Sequence, residues 1–367
     1  MAVSRIGIDL GPTCARAAWV DGDQCILLET LTGHRFIPSV VGLDREGALH
    51  VGDSARRQLL LWPERSASNL RRHLGTSQRL ELDRKRFSAT ELCAVVLSQL
   101  KELSEERLGH SVQAATIAVP CHFAPEQHQA MIDAARLAGF RGAQTVLEPL
   151  AIARAYGLKP SELPDDKAIL ICDIGAFHIE VTLLSQKSGR FAVLSTAQCP
   201  TGSDLIDERL ADHLGRAFQS EHGLSVWPHR KTLARLRLAA EWAKCQLSER
   251  EPVTVRLPGL ITLVDTPVDL VAELTSEQLA LLVEDELRKS LEVIEIALRS
   301  ARIKSSQLHA VLLDEAGKQR VEGAHDVAGA GGCSRAAGCA DRREDVGRDG
   351  DRSIARPLWG YVCRRNV

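Results

Sequence analysis

Two short stretches of this sequence carry residues whose types and spacing suit polyphosphate chemistry. Residues 6–11 (IGIDLG) and 170–175 (LICDIG) share one pattern: an apolar run, an aspartate, one apolar residue, a glycine. An aspartate at the end of a buried strand can orient the waters of Mg2+, a hard cation that keeps most of its hydration shell. A glycine two residues later lets backbone N–H groups approach phosphate oxygens. Each copy is followed by a stretch that reads as a return strand. Two such hairpins facing each other could clamp a polyphosphate from both sides. Strands often end in Asp and Gly, so a pair of ordinary β-hairpins accounts for the repeat equally well. The two copies alone leave both readings open. Glu241, Lys244 and Ser248 recur at spacings of three and four, which puts them on one helical face. On spacing alone that face reads as a solvated surface.

The elements that must position these groups are legible as follows. Residues 4–10 form a strand ending in a turn at Gly11-Pro12, and 15–20 form its return. Residues 37–43 and 48–52 are short strands around a turn at 44–47. Residues 88–108 have helical periodicity. Residues 114–119 read as a buried strand. Pro125 opens a helix for which Gly139 is a good C′ residue. A short strand at 145–148 precedes another helix opened by Pro149. This alternation argues for a largely parallel α/β sheet. A second strand, 168–172, ends in Asp173-Ile174-Gly175. Residues 179–185 return from it, with a turn near Ser188-Gly189. Helices are expected over 232–247 and, as one long element with Ser276 as N-cap, over 276–301. A last strand covers 308–313.

At 367 residues the chain is too long for one small core and fits two lobes. Apolar residues make up 44% and charged residues 26%, the balance of a soluble globular protein. A net charge of −2 and a pI near 6.6 argue against a nucleic-acid partner. No apolar run is long enough to cross a bilayer, so no membrane partner is expected. The N-terminus leads straight into a strand without a signal-peptide layout. Ten scattered cysteines without a C-x-x-C pair read as reduced thiols of a cytoplasmic protein.

Composition changes at Asp314. From there to Gly350 there is no Leu, Ile, Phe, Met, Tyr, Trp or Thr, and only three valines. Such a segment cannot bury enough apolar surface to offset the entropy of ordering it, so 314–367 reads as an atypical, disordered tail. Because an apolar strand runs directly into the break, a reading-frame change or recombination near Asp314 is the favoured origin.

The segments together resemble the DnaK-type heat-shock chaperones, the seventy-kilodalton family within the actin-like ATPase superfamily, from about Arg5 to Leu313. GIDLGPT at 7–13 is similar to the family's first phosphate loop. FIPSVV at 36–41 and VGDSARRQ at 51–58 are similar to early lobe-I segments. AATIAVPCHFAPEQHQAMIDAARLAGF, followed by VLEPLAIARAYGL, resembles its longest signature. TGSDLIDERL at 201–210 resembles a lobe-II turn and helix, and RLAAEWAKCQLS at 237–248 its adenosine-contacting helix. Sugar kinases of the same superfamily share only the short loops.

The resemblance implies an α/β, two-lobed actin-like ATPase fold around a central nucleotide cleft, with lobe II incomplete. It implies lobe I at 1–187, carrying both phosphate hairpins, and lobe II at 188–313, carrying the adenosine helix. It implies ATP or ADP with Mg2+ as cofactors, and co-chaperones or unfolded client proteins as further partners. Asp9 and Asp173 would hold the waters of Mg2+. Gly11, Pro12, Thr13 and Gly175 would cradle phosphates. Gly202 and Ser203 would touch phosphate or ribose, and Glu241, Lys244 and Ser248 would hold the adenosine. Glu148 would place the attacking water or the metal shell. Arg71 falls where the family has a catalytic lysine.

Three places depart from the family pattern. Phe177 replaces a glycine and His178 a hydroxyl in the second loop. Arg71 is a planar fork where the lysine is a point charge. Asp314-Glu315 stands where a Gly-Gly turn belongs. The family's peptide-binding domain is not recognisable after this point. The functional expectation is an ATP-binding chaperone-type ATPase relative acting in protein folding or quality control, an ATP hydrolase if active. The alternatives are a non-catalytic pseudo-ATPase binding module and a truncated, frameshifted chaperone fragment.

Overall fold

A computed structural model of the chain describes residues 4–21, 24–247 and 250–315. The expected tail therefore lies outside the described residues from 316 onward. The described chain forms two compact units. Unit 1 holds the residues up to Asp173, Thr182–Thr196 and those from Gln307; unit 2 holds Ile174–Val181 and Ala197–Ser306.

Unit 1 opens with β1 (Arg5–Leu10), β2 (Cys14–Asp21), β3 (Gln24–Leu27) and the short β4 (Ile37–Pro38). A small sheet of β5 (Val41–Leu43), β6 (Leu49–Val51) and β7 (Ser66–Ala67) packs against α1 (Asp53–Leu61). The hairpin β8 (Arg79–Leu82) and β9 (Lys85–Ser88) leads into α2 (Ala89–Leu108). Then follow β10 (Ala114–Val119), α3 (Pro125–Leu137), β11 (Gly142–Leu147) and α4 (Glu148–Ala155). The main sheet has the order β11-β10-β1-β2-β3, with β1, β10 and β11 parallel and β2 antiparallel to β1. All six residues of β10 are buried, as expected for a parallel strand covered on both faces. Ile8, Leu92, Leu97, Ile117 and Met131 meet in one core beneath α2 and α3.

The start of α2 shows how local chemistry sets a boundary. Ser88 Oγ accepts from the Glu91 N–H at 3.2 Å, and the Glu91 carboxylate accepts from the Ser88 N–H at 2.7 Å, a capping box. The Ser88 N–H and then the Ser88 hydroxyl, each donating to the ionised carboxylate at 2.7 Å, hold Glu91 below its usual range, and Ser88→Ala removes the second of these. Ser88→Ala is expected to cost about 1 kcal/mol in urea unfolding. A lowered carboxylate contributes stability above its unfolded pKa and loses it as pH falls through the folded value. The Ser88→Ala deficit should therefore shrink in acid, and an unchanged deficit would refute the charge-assisted cap.

A second sheet, mostly in unit 1, begins with β12 (Ala168–Ile174), β13 (Ile179–Lys187) and β14 (Arg190–Cys199). Ser188 and Gly189, at φ of 52° and 72°, form the two-residue turn that joins β13 to β14.

Unit 2 is built from α5 (Ser203–His222), α6 (Arg230–Leu247), the hairpin β15 (Val253–Leu263) and β16 (Thr266–Leu274), α7 (Ser276–Leu282) and α8 (Glu284–Ala301). Leu210, Leu214, Phe218, Leu236, Val255 and Leu270 lie in its core. The helix expected over 276–301 is two helices. The chain breaks at Val283 (φ −119°, ψ 14°), and Thr275, not Ser276, caps α7 in a box with Gln278. The chain then returns to unit 1 as β17 (Leu308–Glu315), which completes the order β14-β13-β12-β17. Tyr156 Oη donates to the Leu313 carbonyl at 2.6 Å, tying α4's end to this last strand. The strand runs on through Asp314-Glu315 rather than stopping at 313. The architecture is mixed α/β, as the sequence implied. No described helix is long and apolar enough to cross a membrane.

Candidate functional site

The first hairpin presents its groups at the C-terminal end of β1. Asp9 is fully buried there, opposite Ala118 of β10 and Arg16 of β2. A Cβ on Gly11 would lie 2.7 Å from the Cys14 carbonyl oxygen, so the turn between β1 and β2 closes only with glycine. The same point lies 4.0 Å from Asp9 Oδ2, which puts the carboxylate beside the turn. Pro12 is half-buried and Thr13 exposed. The Thr13 carbonyl accepts from the Ser39 N–H at 2.9 Å, anchoring the loop to the bend just after β4.

Glu148 opens α4 directly after β11, two residues past Val146. Val146 pairs with Ala118, which in turn pairs with Asp9. Asp9 and Glu148 therefore lie at the same end of the parallel sheet, two strands apart or about 10 Å in the hydrogen-bonding direction. The N-terminal end of a helix favours the negative charge of Glu148. Arg71, in a 3-10 turn over Leu70–His73, donates from Nη1 to Glu148 Oε1 at 2.6 Å. Glu148 is 3% exposed and Arg71 14%, so the pair is largely withdrawn from water. The guanidinium also faces the Phe123 ring, 6.0 Å from its centroid, a cation–π arrangement. Burial pushes the Cys93 thiol up to about 12, against the pull of the Arg71 charge. Cys93 is thereby excluded as a nucleophile at neutral pH.

Asp173 is buried near the end of β12. The loop after it belongs to unit 2. The Gly175 N–H donates to the His178 carbonyl at 2.9 Å, closing a tight turn. Ala176 is buried, Phe177 half-buried and His178 exposed. The Gly175 and Ala176 carbonyls accept from the N–H groups of Ser203 and Asp204, at 3.0 and 2.9 Å. These donors are the first two residues of α5, whose N–H groups have no partner within the helix. A Cβ on Gly202 would stand 2.2 Å from the Ala176 oxygen and 2.6 Å from the Phe177 nitrogen. Gly175, Gly202 and Ser203 are thus brought together, and the loop backbone lies directly on the entry to α5.

On α6, Glu241 is half-buried and Lys244 buried. Lys244 Nζ lies 2.7 Å from Asp207 Oδ1 and donates to the Ser203 carbonyl at 3.2 Å. Burial pushes Asp207 up to about 6, with Lys244 opposing the rise. Ser248 lies outside the described residues. Two participants escaped sequence reasoning. Phe123 stands inside the signature segment, but an aromatic there reads as core. Asp207 could have been sought from Lys244, since a buried ammonium requires an acidic partner.

A family model described as "Hsp70 protein" matches residues 5–85 and 77–321. Over 310 residues the chain is 32% identical to the Chaperone protein DnaK of Thermosipho melanesiensis (strain DSM 12029 / CIP 104789 / BI429). That alignment covers 84% of this chain and 52% of the relative. The chain spans about half the length of the curated relative it matches.

Proposed function

Because the chain belongs to the Hsp70 family, we propose that it is a nucleotide-binding module that takes ATP or ADP with Mg2+ and serves protein folding or quality control. The observation that carries this reading is the first hairpin: a buried Asp9 beside a turn that only Gly11 can close. That arrangement suits a hydrated cation and a phosphate approached by backbone. Asp9 and Asp173 would hold the waters of Mg2+, which when bound would neutralise phosphate charge. Gly11, Pro12 and Thr13 would form the cradle, Gly175, Gly202 and Ser203 the second phosphate contact, and Glu241, Lys244 and Ser248 the adenosine contact. Co-chaperones and unfolded proteins would be the partners, and the cytoplasm the compartment.

A second reading concerns turnover. Arg71 is spent on Glu148 at 2.6 Å and stacked on Phe123. A guanidinium held in this way supplies charge but cannot move as a lysine would. This favours a module that binds nucleotide and hydrolyses it slowly or not at all.

Calorimetry with Mg-ATP tests the first reading. Wild type should bind, and Asp9→Asn should weaken binding about tenfold to a hundredfold, the cost of removing a charged hydrogen-bond acceptor. Equal affinity in both proteins would remove Asp9 from the site. ATP turnover that is linear in protein and lost in Asp173→Asn would exclude the non-catalytic reading.

A further inference from the structure

We propose that Asp207 is a positioning residue of the nucleotide site, which with Lys244 fixes the N-terminus of α5 and thereby the second phosphate hairpin. The inference rests on reading residues 173–178 as a phosphate loop.

The path is a chain of direct contacts within unit 2. Lys244 projects from α6 with its ammonium withdrawn from water, where an unpaired charge would not persist. Both of its partners, Asp207 Oδ1 at 2.7 Å and the Ser203 carbonyl at 3.2 Å, lie in the opening turns of α5. Ser203 and Asp204 then pass the constraint on, because their N–H groups donate to Gly175 and Ala176. Gly202 leaves no slack at this junction, since even a methyl group there would collide with the Ala176 and Phe177 backbone. The hairpin therefore takes its position from the start of α5, and that start is held by the pairing of its Asp207 with Lys244 of α6. Lys244 has two partners that hold it against α5, so it braces the start of that helix. Nothing in this path depends on the side chains of Phe177 or His178, so the brace survives the departures of the loop from the family pattern.

Hydrogen exchange read by mass spectrometry tests the brace without needing nucleotide. In Asp207→Asn and in Lys244→Met, peptides covering 173–180 and 201–207 should exchange about tenfold faster, as expected when a buried ion pair is lost from one local unit. Peptides from β10 and from β15–β16 should keep wild-type protection and so report an intact fold. Unchanged exchange at 173–180 in both variants overturns the proposal. So does faster exchange that appears at β15–β16 as well, which would be loss of unit 2 as a whole. Loosening in Lys244→Met alone would transfer the brace to the Ser203 carbonyl and overturn the role of Asp207. A parallel titration compares Mg-ATP with adenosine. Asp207→Asn should lose affinity for Mg-ATP and keep that for adenosine. If wild type binds neither, the nucleotide reading fails, while the exchange data still decide whether the brace exists.

Discussion

Gly202→Ala should destabilise unit 2 by about 3–5 kcal/mol, from overpacking and the loss of two backbone hydrogen bonds. The reason is space alone. Gly202 has extended backbone (φ −147°, ψ −177°) that alanine adopts freely. Its new Cβ, however, would stand 2.2 Å from the Ala176 oxygen and 2.4 Å from the Ala176 carbonyl carbon. Both are backbone atoms of a turn already closed by the Gly175 to His178 hydrogen bond, so no rotamer can clear them. The chain must part there, and the Ser203 and Asp204 N–H groups lose their acceptors. Gly223, which ends α5 at φ 68° with open space around it, is the control. There alanine meets backbone strain but no collision, and about 1–2 kcal/mol is expected. Urea unfolding of both variants, followed by a probe in unit 2, gives the comparison. Equal losses at the two glycines would show that the junction has slack.

Glu148→Ala should cost about 3 kcal/mol or more in unit 1, because it leaves the Arg71 guanidinium largely buried without its counterion. Phe123 cannot replace the carboxylate, since a cation–π contact supplies about 0.5–2 kcal/mol. The double variant Arg71→Met with Glu148→Leu should recover most of the loss, because exchanging a buried ion pair for apolar groups is often neutral. A double-mutant cycle in thermal unfolding reads the coupling directly. If Glu148→Ala alone is harmless, Arg71 has access to water in solution, and the argument that it is immobilised for turnover falls with it.

Much of the fold was legible because its signals are local. The apolar runs at 6–11 and 170–175 end in Asp-x-Gly because buried strands must stop and turn there, and β1 and β12 do so. Ser88 and Pro125 mark helix starts through their own chemistry. What stayed hidden depends on partners distant in sequence. β11 begins at Gly142-Ala143-Gln144, residues with no strand signal, because β10 supplies its hydrogen bonds. The break at Val283 is invisible since apolar periodicity continues across it. The same holds at the candidate site. Residue types and spacing pointed to Asp9, and the family resemblance to Glu148, yet the spacing of Glu241 and Lys244 could not reveal that Lys244 turns toward α5. Only the fold brings Asp207 and Lys244 together.

The position of β17 carries a consequence for the order in which the chain can fold. Synthesis delivers β12, β13 and β14 early, but their neighbour arrives only after the whole stretch Ala197–Ser306 has been made. At ordinary rates of chain elongation that interval is on the order of ten seconds. Throughout it β12 has an open edge, and Tyr156 lacks the Leu313 carbonyl it will meet. Unit 2, by contrast, has almost all of its core in that one stretch and can close while it emerges. Unit 1 is therefore the first to start and the last to finish, and its open edge on the ribosome is the stage most exposed to mispairing.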